Sequence, residues 1–118
     1  EIEQADMHDL PYLNNAVDIV FCSQTLEHAI APFVALAEFN RVLKQDGMLL
    51  LTMPDAFDTW LVDKQHFSCL NLAQWRHLLI KAGFGIKIAE EFYENGDAPE
   101  QKMLLFVCRK ESELDVNK

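Results

Sequence analysis

The sequence predicts an α/β domain made of a βαβ unit, a further helix and an antiparallel pair of terminal strands. Two observations lead there. First, two short, nearly continuous apolar runs, residues 17–22 (VDIVFC) and 48–53 (MLLLTM), flank a segment whose apolar residues recur at helical spacing. Continuous rather than alternating apolar runs suit strands buried on both faces of a parallel sheet. Second, a later helical stripe is followed by Ile86 and Ile88 and then by residues 103–108 (MLLFVC), with no helix-length segment between them. A connection without a helix makes the last two strands antiparallel.

Residues 1–16 form an irregular lead-in with Pro11 and Asn14-Asn15 as turn signals. After the first strand, Pro32 suits the first turn of a helix, where its missing N–H is not needed. Ala35, Leu36, Phe39, Val42 and Leu43 then make one apolar stripe. Arg41 and Lys44 are expected in the last turn, where cations suit the helix dipole, and Asp46-Gly47 is expected to stop the helix. The second strand ends at Pro54. A right-handed crossover through this helix makes the two strands parallel.

A loop over residues 55–70 carries Phe57, Trp60, His66 and Phe67. Asn71 is placed to cap the next helix, with Gln74 at the capping-box position. Leu72, Trp75, Leu79 and Ala82 share a face, and Gly83 closes that helix. Ile86 and Ile88 alternate with Lys87 and Ala89 in a half-exposed strand, and Asn95-Gly96 and Pro99 mark the loop before the last one. Residues 1–110 therefore read as one domain portion and 111–118 as a polar tail expected to fray.

The 118 residues suffice for one domain, and 19 acidic against 10 basic residues give a net charge of −9. So acidic a surface repels phosphate backbones and anionic headgroups, so neither nucleic acid nor membrane is expected as a partner. The apolar run at 48–53 is far too short to span a bilayer. Cys22, Cys69 and Cys108 are odd in number, widely spaced and without a CxxC pair, which points to reduced thiols and a cytoplasmic setting. His8, His28, His66 and His77 lack the paired spacing of a metal site, and there is neither a G-x-S-x-G elbow nor a P-loop. No metal site is expected.

Three stretches carry a family resemblance. Ala5-Asp6-Met7-His8-Asp9-Leu10-Pro11-Tyr12 follows a D-A-x-x-L-P-F pattern. Val17-Asp18-Ile19-Val20 through Leu26-Glu27-His28 follows F-D-x-V … L-E-H, with Val17 in place of Phe. Residues 38–47 (EFNRVLKQDG) follow E-x-x-R-V-L-K-P-G-G, with Asp46 before Gly47 a minor change in turn chemistry. His66-Phe67-Ser68 and Ala82-Gly83-Phe84 match later H … F-S … A-G-F elements. In order and spacing these residues, from about 5 to 108, resemble the type-11 group of class I S-adenosylmethionine-dependent methyltransferases.

The resemblance implies a partial Rossmann-like methyltransferase fold, the C-terminal half of such a domain, with S-adenosylmethionine as cofactor. By resemblance, Asp6 accepts a hydrogen bond from the adenine amino group and the Met7 N–H meets a ring nitrogen. Ser23 and Gln24, just past a parallel strand's C-terminal end, flank the methionine part; their alternative is simple passage into a helix, with Ser23 or Thr25 as cap. His28 either lines the methyl-transfer pocket or packs structurally beside Glu27. His66 is the candidate catalytic residue, a neutral imidazole able to take a proton from an O–H or N–H nucleophile, against the alternative of a bystander loop histidine. Phe57, Trp60 and Phe67 either shape an acceptor pocket or anchor the loop to the core.

One departure bears on function. A complete domain of the family begins with a strand ending in a G-x-G-x-G-like loop, and the four glycines here, Gly47, Gly83, Gly85 and Gly96, form none. The expected function is methyl transfer to a small-molecule acceptor as part of a larger enzyme. The alternatives are a non-catalytic dimeric binding or regulatory module and a subunit completing a split methyltransferase. In the family's sheet the strand at 17–22 neighbours the glycine-loop strand. Its open edge is therefore expected to pair in a homodimer, to take a partner supplying the N-terminal half, or to be buried by the lead-in.

Overall fold

The computed structural model describes residues 5–56, 67–96, 98 and 102–112. In chain order these form β1 (Val17–Ser23), a 3₁₀ turn (Leu26–His28), α1 (Pro32–Val42), β2 (Leu43–Pro54), α2 (Leu72–Lys81), β3 (Phe84–Tyr93) and β4 (Lys102–Lys110). The sheet order is β1-β2-β4-β3. β1 and β2 run parallel, and β4 is antiparallel to both β2 and β3. The βαβ unit and the antiparallel terminal pair are both present.

Register explains where the core lies. Cys22 pairs with Leu51, Leu51 with Phe106, and Phe106 with Ala89, so one row crosses all four strands on one face. That face meets Leu36 and Phe39 of α1 and Trp75 and Leu79 of α2 in a single buried cluster. Side chains one residue along point the other way. Phe21, Leu50, Val107 and Ile88 form the matching row on the opposite face, where Phe21 is 69% and Ile19 61% exposed.

Burial of β1 on both faces was expected and does not hold. Only Cys22 is buried in this strand, because no described element covers its outer edge or the Phe21 face. The open edge itself was expected and is present. The described part of the lead-in, residues 5–16, does not pair with that edge: Asn15 and Ala16 donate instead to the Arg41 and Val42 carbonyls at 2.8 Å each.

α1 stops earlier than the sequence suggested. Leu43 is already extended, at φ −73° and ψ 139°, and pairs with Val17. The apolar stripe continues through Leu43 because that residue is buried as a strand residue. Asp46-Gly47 makes a bulge in β2 rather than a helix stop. Asp46 takes φ 67°, and the register jumps from Val17↔Leu43 to Ile19↔Met48. A Cβ on Gly47 would lie 2.8 Å from the Lys44 carbonyl oxygen, so the bulge requires glycine there. Lys44 leaves the helix end and pairs with Asp18 at 3.3 Å.

The Asn71–Gln74 capping box forms as expected. Gly83, at φ 93°, turns the chain out of α2, and its carbonyl accepts from the Glu111 and Ser112 N–H groups at 3.0 and 3.2 Å. Asn40 donates to the Ala82 and Ser112 carbonyls at 2.8 and 2.9 Å. The first two residues of the supposed frayed tail are thus held by backbone pairing and by α1. Sequence reading also missed Lys110, fully buried at the end of β4. Its ammonium donates to Asn15 Oδ1 at 2.9 Å and to the Leu43 carbonyl at 2.8 Å, as a buried charge requires. It joins the lead-in to β2.

Candidate cofactor site

The C-terminal ends of parallel strands leave polar groups to be satisfied locally, and the β1–β2 pair does so tightly. Ser23 and Thr52 form the last rung, with their hydroxyls 2.8 Å apart. Gln24 turns away at φ 53°, and its N–H donates to the Thr52 carbonyl at 2.8 Å. The Thr25 hydroxyl donates back to the Ser23 carbonyl at 2.8 Å. The alternative of Ser23 or Thr25 as a helix cap is not realised, since the 3₁₀ turn has no side-chain cap. A groove of about 550 Å³ runs along the open edge of β1, from Val17 to Ser23 and Thr25, with Met7 and Leu10 of the lead-in and Phe39 of α1 also lining it.

The lead-in that brings Met7 there is strapped to α1. Arg41 donates to Glu38 through Nε at 2.6 Å and Nη2 at 2.9 Å. Its Nη1 reaches the Tyr12 carbonyl at 2.7 Å and Asn14 Oδ1 at 2.9 Å, and Nη2 reaches the Leu10 carbonyl at 3.0 Å. Glu38 completes the strap by accepting the Leu10 N–H at 2.7 Å. The planar guanidinium fork can serve so many acceptors at once. The Arg41 hydrogen bonds, with the Leu10 N–H, hold the Glu38 carboxyl below its usual range, and Glu38 in turn raises Arg41. Sequence reading quoted E-x-x-R as a resemblance but did not foresee this work, because the strap joins residues nearly thirty positions apart.

Asp6 sits at the start of the strapped segment with its side chain 67% exposed. Its Oδ1 accepts from the His8 N–H at 2.9 Å and from His8 Nδ1 at 2.8 Å. These bonds lower the Asp6 pKa, the backbone one most, so Asp6 is an ionised acceptor. Among the described residues neither Asp6 Oδ2 nor the Met7 N–H has a hydrogen-bond partner. A carboxylate oxygen beside a backbone donor matches the amino group and ring nitrogen of an adenine edge, so the donor set here fits that half of S-adenosylmethionine. The glycines do not fit the other half. A Cβ on Gly83 or Gly85 would meet Ser112 or Glu111, and nothing approaches Gly96 within 4 Å. Neither arrangement is a cradle for the ribose and carboxypropyl groups.

The structure thus brings Met7 and Ser23 to one groove, with Asp6 and Gln24 each adjacent in sequence. His28 does not line it; it lies half-buried in the 3₁₀ turn. Its neighbour Glu27 is buried, and the Glu27 carbonyl accepts the Ser68 N–H at 3.0 Å. The Ser68 hydroxyl donates to the Ala29 carbonyl at 2.6 Å, so the F-S element is a structural tie to that turn. Phe67 is 62% exposed and does not anchor the loop to the core. His66, Phe57 and Trp60 lie outside the described residues.

Burial raises the Cys22 thiol to about 11 and the Cys108 thiol to about 12. Cys22 is therefore a wall of the groove and not a nucleophile. At pH 8 native protein is expected to alkylate at these two positions far more slowly than protein unfolded in denaturant, as read by mass spectrometry. Fast native labelling of Cys22 would contradict the packing described.

Comparison with known proteins places these features in a family. The methyltransferase-domain profile of the type-11 family matches residues 1–51. A malonyl-[acyl-carrier protein] O-methyltransferase of Alcanivorax borkumensis is 35% identical over 89 residues, covering 68% of this chain and 30% of that protein. A glycine/sarcosine/dimethylglycine N-methyltransferase of Actinopolyspora halophila is 36% identical over 59 residues, 50% of this chain and 10% of its own length. The chain spans less than a third of the curated relatives it matches. Among solved structures, a Bacillus halodurans protein described as a methyltransferase superposes with a TM-score of 0.80 at 19% identity, over 95% of this chain and 78% of that one. The [4+2]-cyclase SpnF superposes with a TM-score of 0.75 at 21% identity, over 92% and 55%. Such distant likenesses establish the fold, and the cyclase illustrates that fold alone does not name the chemistry. Sequence motifs, profile match and strand order nevertheless agree, and the chain belongs to the type-11 family of class I S-adenosylmethionine-dependent methyltransferases.

Proposed function

We propose that these residues form the adenine-binding half of an enzyme that transfers a methyl group from S-adenosylmethionine to a small-molecule acceptor. The observation that carries this reading is the Asp6–Met7 pair, an ionised acceptor beside a free backbone donor, with Met7 lining the groove that runs along the β1 edge to Ser23. When bound, the cofactor supplies an electrophilic methyl group on a sulfonium. Asp6 Oδ2 accepts from the adenine amino group, and the Met7 N–H donates to the ring. Ser23 and Gln24 border the methionine end. Direct displacement depends mainly on alignment, which is the work asked of these residues. His66 is the candidate to take a proton from an O–H or N–H nucleophile. Relatives named for O- and N-methylation support a heteroatom acceptor, and the net charge of −9 supports a small molecule over nucleic acid.

The exposed β1 edge and the row of Phe21, Leu50, Val107 and Ile88 favour completion by a half-domain carrying the glycine loop, within a longer protein or on a separate subunit. A non-catalytic dimer through the same edge is the competing reading.

The test is calorimetric titration of the chain with S-adenosylhomocysteine, repeated with Asp6→Ala. Saturable binding that weakens about tenfold or more in the variant supports the reading, since a charged hydrogen bond contributes about 1.5–3 kcal/mol. Absence of binding at millimolar ligand would remove the cofactor reading for these residues and leave the dimer.

A further inference from the structure

His8 occupies one of the variable positions between Asp6 and Leu10, and nothing in the family pattern gives it a role. Its ring nonetheless bridges two elements. The Ala31 N–H, at the threshold of α1, donates to His8 Nε2 at 3.2 Å. A nitrogen that accepts carries no proton, so these partners assign the ring proton to Nδ1. Nδ1 lies 2.8 Å from Asp6 Oδ1 and donates to it. The His8 backbone N–H reaches the same oxygen at 2.9 Å. Both bonds converge on Oδ1, and Oδ2 has no hydrogen-bond partner among the described residues.

An exposed carboxylate would otherwise rotate among several orientations, and a ligand would have to select one. Two bonds converging on Oδ1, one from the His8 N–H and one from Nδ1, remove that freedom before binding. We infer that His8 is a positioning residue for base recognition: it aims Asp6 Oδ2 so that the site selects a purine with an exocyclic amino group at its six-position over one with a carbonyl there. The inference rests on the reading of Asp6 as the adenine acceptor. A carboxylate locked in place cannot swing away from a six-oxo group, whose oxygen it repels, so the lock sharpens discrimination as well as affinity.

Two substitutions separate the two bonds. In His8→Asn the amide nitrogen takes the place of Nδ1 and can still donate to Asp6, while the bond to Ala31 is lost. In His8→Gln the amide oxygen reaches the place of Nε2 and can still accept from Ala31, while the bond to Asp6 is lost. The experiment compares S-adenosylhomocysteine with S-inosylhomocysteine by calorimetry on the full chain, its His8 variants and Asp6→Ala, with thermal midpoints recorded as a control for folding. Expected are a preference of about tenfold or more for the adenosyl ligand in the unaltered chain, and its loss to about twofold or less in His8→Gln. The preference should be largely retained in His8→Asn, with midpoints close to that of the unaltered chain. A merely structural histidine would move the midpoint and leave the ratio alone. If His8→Gln keeps the full preference while Asp6→Ala loses it, the positioning role is overturned and the adenine reading stands. If the unaltered chain shows no preference, or does not bind, both fall together.

Discussion

Phe106→Ala is expected to lower the unfolding free energy by about 3–5 kcal/mol, measured by chemical denaturation. Phe106 is fully buried and stands in the row Cys22–Leu51–Phe106–Ala89 beneath both helices. Truncation removes the ring's burial and leaves a cavity that neighbours on four strands cannot readily collapse to fill. Against a total of about 5–15 kcal/mol for a domain of ordinary stability, such a loss is large. Phe21→Ala serves as the comparison. The same side chain, mostly exposed at the β1 edge, should cost within about 0.5 kcal/mol. Equal losses at the two positions would mean that the Phe21 face is covered in solution, which would itself point to an occupant of the open edge.

Arg41→Gln should detach the lead-in from α1. The variant loses the fork that holds Leu10, Tyr12, Asn14 and Glu38 together, and Asp6 and Met7 ride on that segment. We expect amide exchange at Leu10 to accelerate about tenfold or more, and S-adenosylhomocysteine affinity to fall by about tenfold, since more than one charge-assisted hydrogen bond is lost. Arg41→Lys should not restore either, because one ammonium cannot span acceptors so widely placed. Unchanged exchange at Leu10 in Arg41→Gln would show that the strap is not what orders the segment. The same strap sets a pH dependence. Glu38's carboxyl is held below its ordinary value of 4.5, so its contribution is fully present above that value and is lost as pH falls through the depressed one. The lead-in should therefore loosen in acid below about pH 4.5. It should not loosen in mild alkali, where Arg41, raised by Glu38, keeps its charge.

Most of the architecture was legible in the chain because its causes are local. The apolar runs at 17–22 and 48–53, the stripe through Ala35, Leu36 and Phe39, and the Asn71–Gln74 box depend on neighbours within a few residues, and each formed. The family motifs were legible for the same reason, being short and ordered. The errors arose where a distant strand decided the outcome. Leu43 continues a helical stripe in sequence, yet pairing with Val17 draws it into β2, and Asp46-Gly47 becomes a bulge because the ladder resumes beyond it. Residues 17–22 read as doubly buried, a property that depends on what lies across the sheet and not on the strand itself.

The site divides along the same line. By itself the sequence determined the residue types, the family pattern and the absence of a glycine-rich loop, since these are properties of order and composition. Only the tertiary structure decided that Arg41 and Glu38 hold the lead-in, that His8 bridges Asp6 to α1, and that Lys110 ties the lead-in to β2. The bonds that reach between elements here join partners 23 to 95 positions apart. Hydrogen bonds of that kind leave no periodicity to read, because folding alone sets which distant backbone group a side chain meets.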